Sequence, residues 1–196
     1  MKSSYLRAGA ALACAAALSA CGGSDGELLL GGVYTGVTKP GLVLLNGDGN
    51  RLEITPVTGG NGSGTFYFND LVGSDDEYDV KVAAMPDNVS SCPVVNGKGR
   101  AAFNITSVQV NCIFKTHALK GTVANLKGDG LVLVNGADKV SVAPGATEVT
   151  LAEVAEDAPY GVAILTQPAG QTCTVANGTG TMGKNDITNL TVTCAP

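Results

Sequence analysis

The feature that most limits what this chain can fold into is that much of it is written twice. Gly41-Leu42-Val43-Leu44-Leu45-Asn46-Gly47 recurs as Gly130-Leu131-Val132-Leu133-Val134-Asn135-Gly136, 89 positions later. Further along, Tyr78-Asp79-Val80 answers to Tyr160-Gly161-Val162, Pro86 to Pro168, Asn96-Gly97 to Asn177-Gly178 and Cys112 to Cys194, at offsets of 81 or 82. Internal similarity of this kind means one structural unit built two times. The second copy is about seven residues shorter, and the loss is expected around Gly59-Gly60-Asn61-Gly62-Ser63-Gly64. A glycine-rich loop tolerates that change because closure entropy varies slowly with loop length.

Within each copy the apolar residues fall on every second position. Phe66 and Phe68, then Tyr78, Val80 and Val82, are matched by Val149 and Leu151, then Tyr160, Val162 and Ile164. Val108, Val110 and Cys112 share one face near the end of the first copy, as Leu190, Val192 and Cys194 do in the second. Period two with no helical period after the N-terminal region predicts an all-β chain with one buried face per strand. Asn96-Gly97 and Asn177-Gly178 predict hairpin turns of type I′, because both residue types accept the positive φ such turns need.

The first twenty residues have a different character. Lys2 and Arg7 are their only charges, and residues 8–20 form an apolar run too short to span a bilayer. This is the pattern of a secretory signal peptide. Leu18-Ser19-Ala20-Cys21 resembles the lipobox of bacterial lipoproteins, which implies cleavage before Cys21, a diacylglycerol on its sulfur and an acyl chain such as palmitate on its new amino terminus. Residues 21–27, glycine-rich at their start, then read as a flexible tether. Acyl chains anchor a protein to a membrane without crossing it. In this family an aspartate after the cysteine favours the inner membrane, so Gly22 implies the outer membrane.

Six cysteines are present, and export accounts for Cys14 and Cys21. The other four allow three pairings. The symmetry of the copies selects Cys92 with Cys112 and Cys173 with Cys194, in a compartment where disulfides persist. Zinc would need close pairs such as Cys-x-x-Cys, which the chain lacks. The resulting division is 1–20 signal peptide, 21–27 tether, 28–113 first repeat and 114–196 second repeat.

The stretch Gly64-Thr65-Phe66-Tyr67-Phe68, with Leu71 and Tyr78-Asp79-Val80-Lys81-Val82, resembles the core of transthyretin-like and other immunoglobulin-like sandwich modules of bacterial surface proteins. Residues 162–194, with Thr166-Gln167-Pro168 and Gln171-Thr172-Cys173-Thr174-Val175, are similar to disulfide-bearing repeats found in tandem in exported bacterial proteins. The resemblance implies two tandem β-sandwich modules. It brings no catalytic residue with it. The chain has no tryptophan and its cysteines come late in each copy, so the immunoglobulin likeness is to a two-sheet sandwich in the broad sense.

Composition narrows the function further. The net charge is −5, and because residues 1–20 hold two basic groups and no acidic one, the remainder carries −7. A dispersed negative charge without a basic patch argues against nucleic-acid binding. The single histidine, His117, lies near the junction of the copies, and no nucleophile elbow accompanies it, so catalysis and cofactors are not expected. Asp75, Asp76, Glu77 and Asp79 form a weak calcium candidate, with a charged hairpin tip as the commoner explanation. Tyr34 and Tyr67 are the plausible outward aromatics for a sugar platform. Asn-x-Ser/Thr sequences at Asn61, Asn88, Asn104, Asn177 and Asn189 read as turn and strand composition rather than glycan acceptors. The leading expectation is a membrane-anchored envelope protein with a structural, adhesive or partner-docking role. The alternatives are a ligand-binding accessory subunit of an envelope or export complex and, less favoured, a hydrolase.

Overall fold

The computed structural model describes residues 26–196, all of its regular structure β, with no helix among them. The signal peptide, Cys14, Cys21 and the start of the tether lie outside the described residues.

The first half contains β1 (Leu30–Thr35), β2 (Leu42–Asn46), β3 (Asn50–Ile54), β4 (Gly64–Tyr67), β5 (Glu77–Ala84), β6 (Val89–Ser91), β7 (Val94–Val95), β8 (Lys98–Arg100), β9 (Ile105–Asn111) and β10 (Ile113–Phe114). Two four-stranded sheets form, in the orders β4-β1-β9-β7 and β3-β2-β5-β8, and β10 pairs with β6 beside them. The second half contains β11 (Thr116–Ala124), β12 (Leu131–Asn135), β13 (Asp138–Val142), β14 (Glu148–Ala155), β15 (Pro159–Thr166), β16 (Thr172–Ala176), β17 (Thr179–Thr181) and β18 (Ile187–Ala195). Its sheets, β14-β11-β18-β16 and β13-β12-β15-β17, repeat the same order. Each half is therefore a two-sheet, immunoglobulin-like sandwich. All pairings are antiparallel except one per module, where the first strand runs parallel to the last long one: β1 with β9 and β11 with β18.

The alternation in sequence becomes two separate cores. Leu30, Phe66, Val108 and Val110 from one sheet meet Leu42, Leu44, Ile54 and Val80 from the other. In the second module Leu119, Val149, Leu190 and Val192 meet Leu131, Leu133, Val142 and Val162. The leucines among these, Leu30, Leu42, Leu44, Leu119, Leu131, Leu133 and Leu190, are fully buried, each contributing about 1.5–3 kcal/mol by removal from water. The parallel pair carries a bulge in both modules, next to Gly32 and Gly121. A Cβ at Gly32 would lie 1.9 Å from the carbonyl oxygen of Val108, and one at Gly121 2.5 Å from that of Leu190. The backbones approach there too closely for any side chain.

The asparagine that closes the repeated motif has the same task twice. Asn46 Oδ1 accepts from the Asp79 amide at 2.9 Å, and Asn135 Oδ1 from the Gly161 amide at 2.8 Å, so each fixes the register of its neighbouring strand. The length difference falls mainly where expected, since Ile54 to Phe66 is a step of twelve residues and Val142 to Val149 a step of seven.

The Asn-Gly pairs are not hairpins. β7 and β8 belong to different sheets, as do β16 and β17. Only the asparagines are left-handed, with φ of 55° at Asn96 and 56° at Asn177, whereas a type I′ turn needs both central residues positive. At each corner the asparagine amide donates across the gap, Asn96 to the Ser107 carbonyl and Asn177 to the Asn189 carbonyl. The glycine carbonyls, Gly97 and Gly178, accept from Val80 and Val162 in the opposite sheet. The motif moves the chain from one sheet to the other.

Candidate functional site

Of the residues singled out from sequence, the cysteines come together: Cys92 is bonded to Cys112 and Cys173 to Cys194, across loops of 20 and 21 residues. In the second module the pair sits directly opposite in the β16–β18 ladder. In the first, Pro93 follows Cys92, and because proline has no N–H to donate, the strand divides into β6 and β7.

Three of the four carboxylates in the acidic run face basic side chains. Asp75 and Glu77 both face the Arg100 guanidinium, at 3.4 and 3.3 Å, and Asp79 faces Lys81 at 2.8 Å. No group of three or more histidine, cysteine, aspartate or glutamate side chains is placed to hold a metal among the described residues. Asp75 has a positive φ of 68°, and so has Asp157 at 67°, because both stand in the turn that carries the chain between sheets. This turn is a crossing, not the hairpin tip expected from sequence. The sugar-platform reading also needs correction, for Tyr34 is 4% exposed and packs in the core. Tyr67 is outward, and Phe103, which the period-two reading passed over, is 74% exposed.

The asparagines of the Asn-x-Ser/Thr sequences are mostly structural bonding groups. Asn61 Oδ1 accepts from the Ser63 amide, Asn104 Oδ1 accepts from the Leu29 amide, and Asn177 holds its corner. Asn88 is wholly buried.

Asn88 belongs to a polar cluster that joins the modules. Its amide donates to Thr38 Oγ1 and to Asp157 Oδ2, both at 3.1 Å. Lys39 Nζ reaches the same Asp157 oxygen at 2.7 Å, and Lys184 Nζ reaches Asp87 Oδ2 at 2.7 Å. Lys39 is held above the usual lysine range by the Asp157 carboxylate, and Lys184 likewise by Asp87. Asp87 is pulled below the usual carboxylate range, chiefly by Lys184. Backbone bonds run alongside: the Lys115 amide donates to the Asn88 carbonyl, and the Glu156 amide donates to the Lys115 carbonyl. His117 pairs with a carboxylate at the junction. Its Nε2 lies 3.4 Å from Glu156 Oε2, on a glutamate that is 4% exposed. Asn88 Oδ1 and Glu156 Oε1 are buried without a hydrogen-bond partner, a cost of about 1–3 kcal/mol for each such group.

This cluster is absent from the repeat itself. Where the first module has Pro86-Asp87-Asn88, the second has Pro168-Ala169-Gly170, and where the first has Thr38-Lys39 the second has Lys127-Gly128. The second module's loops carry Lys127 and Asp129 instead, but Lys39, Asp87 and Asn88, which bond across the junction, are replaced there by Gly128, Ala169 and Gly170. Three shallow surface grooves, of about 150 to 250 Å³, lie on the sheets elsewhere. Pockets that engulf a small molecule are typically about 300–1,000 Å³, so surfaces rather than these grooves are what the modules offer.

No family model matches the chain, and no curated protein matches it. Solved structures align over most of its length. It is similar to the TIE protein of Bacillus anthracis, with 13% identity and a TM-score of 0.45 over 85% of this chain and 34% of that one. It is also similar to a major pilin protein of Streptococcus pyogenes, with 11% identity and a TM-score of 0.33 over 87% and 97%. A third likeness is to two B repeat units of the collagen-binding protein of Staphylococcus aureus, with 16% identity and a TM-score of 0.28 over 87% and 49%. The chain spans about a third of the length of the first of these.

Proposed function

We propose that this chain is an envelope lipoprotein, cut before Cys21 and acylated there, whose two sandwich modules form a short stalk with a structural, adhesive or partner-docking role at the outer membrane. The observation that carries the stalk reading is the junction. Only Lys115 separates β10 from β11, and Lys39, Asp87, Asn88, Asp157 and Lys184 tie the loops on either side. A linker that allowed free rotation would have no use for a buried asparagine shared between modules. The anchor rests on Leu18-Ser19-Ala20-Cys21, and no helix of the described residues is long and apolar enough to cross a membrane.

The test is fractionation of cells producing the full chain and its Cys21→Ala variant. The wild type is expected in the outer-membrane fraction with label from a fatty-acid precursor, and the variant unlabelled and released from that fraction. Membrane retention of the unlabelled variant would end the anchor reading. Extraction in mild detergent then addresses the role, because a stoichiometric co-purifying protein identifies the docking partner.

A further inference from the structure

The large exposed hydrophobic side chains are distributed very unevenly between the modules. Leu29, Val33, Val57, Tyr67, Leu71, Met85, Val95, Phe103 and Ile113 belong to the first, and only Leu165 to the second. Four of them gather where the chain enters the first sandwich. The Leu28–Val72 bridge is antiparallel, which sets Leu29 against Leu71 on the outward face. Tyr67 lies opposite Gly31 on β1, and its ring covers that glycine so closely that a Cβ there would stand 2.5 Å from it. Phe103 projects from the neighbouring loop, whose Asn104 side chain accepts from the Leu29 amide. The corresponding sheet of the second module has Thr150 in the place of Tyr67 and Thr122 in the place of Val33.

From this we infer that the end of the first module around Leu29, Tyr67, Leu71 and Phe103 lies against the bilayer to which the chain is anchored. The step rests on acylation at Cys21, as proposed above, and adds which face meets the lipid. Leu29 is eight positions after Cys21, a span of at most about 29 Å when fully extended, so an anchor at Cys21 keeps this patch near the headgroups. Two aliphatic side chains with an aromatic ring on a loop tip and a tyrosine at their margin suit the interfacial zone, where amphipathic rings settle. Exposed apolar groups gathered in one place mark a contact surface, and here the molecule fixes what stands beside it. Glu27 and Asp70 adjoin Leu28 and Leu71 in the chain, and the nearby Arg100 is paired with Asp75 and Glu77, so the contact is apolar and favours a zwitterionic surface over an anionic one.

The chain has no tryptophan, which makes a single introduced indole a clean reporter. After the cut, the other four cysteines are paired, so a chain beginning at Cys21 has one free thiol and can be coupled there to a maleimide phospholipid in phosphatidylcholine vesicles. This places the anchor chemically, whatever the cell does. Phe103→Trp and, separately, Tyr67→Trp are expected to show blue-shifted emission that brominated phosphatidylcholine quenches strongly, while Thr150→Trp in the second module keeps its emission. Equal, weak quenching at all three positions in protein that floats with the vesicles would overturn the inference. So would a lipid-free dimer of the Cys21→Ser chain that Phe103→Ser dissociates, since a second copy would then occupy the patch. Flotation of the natively produced chain tests acylation alone, so a failed anchor and a misplaced face give different results.

Discussion

The two modules share a topology but not the side chains that realise it. In the first, Phe66 and Phe68 meet edge to face with ring centroids 6.1 Å apart, and Tyr34 fills the core beside them. In the second, Val149, Leu151 and Val123 take those places, and Met182 is buried where the first module has Ala101. What stays constant includes the Leu30/Leu119, Leu42/Leu131, Leu44/Leu133, Val80/Val162 and Val110/Val192 pairs, the disulfide, the glycine beneath the parallel strands and the asparagine that fixes β5 or β15. Those positions set the strand order, while bulk at the others is exchanged as long as the space between the sheets is filled.

The most severe way to break the equivalence is at the constant leucines. Leu44→Ala and Leu133→Ala each remove a fully buried side chain from the centre of a sandwich and are expected to cost about 2–5 kcal/mol. Chemical denaturation followed by hydrogen exchange resolves which module opens. If the modules are true equivalents, each substitution lowers protection mainly in its own core, and a loss spread evenly over both would show a single cooperative unit.

Removing one disulfide comes next. The loops closed are of nearly equal length, 20 and 21 residues, so the chain-entropy argument gives about 3 kcal/mol for either. The ladders differ, because Pro93 interrupts β6–β7 while β16 pairs with β18 over five residues. Cys92→Ser with Cys112→Ser is therefore expected to destabilise more than Cys173→Ser with Cys194→Ser. Equal shifts in the denaturation midpoint would mean that the interrupted ladder contributes nothing measurable.

A smaller effect separates what is repeated from what is unique. Asn88→Ala leaves Thr38 and Asp157 without their buried donor, at about 1–3 kcal/mol. Substitution of Ala169, in the corresponding loop of the second module, is expected to be near neutral. A cost for Asn88→Ala that persists when Asp157 is already alanine would place the role of Asn88 inside its own module.

This contrast also explains how much of the molecule could be read in the sequence. Strand alternation and cysteine pairing depend on spacing along the chain, and the copies repeat that spacing, so both were legible. The Asn-Gly corners look like hairpins in the sequence because a turn's residue types do not reveal whether the flanking strands stay in one sheet. The junction was invisible for a different reason. Asn88 meets Asp157 across 69 residues and Lys184 meets Asp87 across 97, and neither pair has a counterpart in the other copy. The one available signal was negative: Asp87-Asn88 standing where the repeat has Ala169-Gly170. Phe103 gives no signal because it sits in a loop outside any alternating run, and Tyr34 gives a misleading one because aromatic type alone does not tell the inner face from the outer.

The least expected effect is also the one that isolates the junction, because pH acts there without altering either core. Asp87 titrates below the ordinary carboxylate range when folded, so its contribution is present above about pH 3.9 and is lost as pH falls through the folded value. Lys39 and Lys184 titrate above the ordinary lysine range, so theirs is complete below about pH 10.4 and is lost as pH rises through the folded values. Asp79, paired with Lys81 inside the first module, is shifted in the same direction as Asp87 and serves as the internal control. All these groups are solvent-facing, so salt weakens the pairs and the energies are small. Small-angle scattering between pH 3 and 11 is expected to show a constant maximum dimension across the plateau and a broader distribution of inter-module distances at both ends, while the circular dichroism of the sandwiches is unchanged. Asp87→Asn should bring the broadening into the plateau. A distribution that never widens, or that widens only when the strand signal is lost, would mean that backbone bonds through Lys115 hold the modules together and that the ion pairs merely decorate the junction.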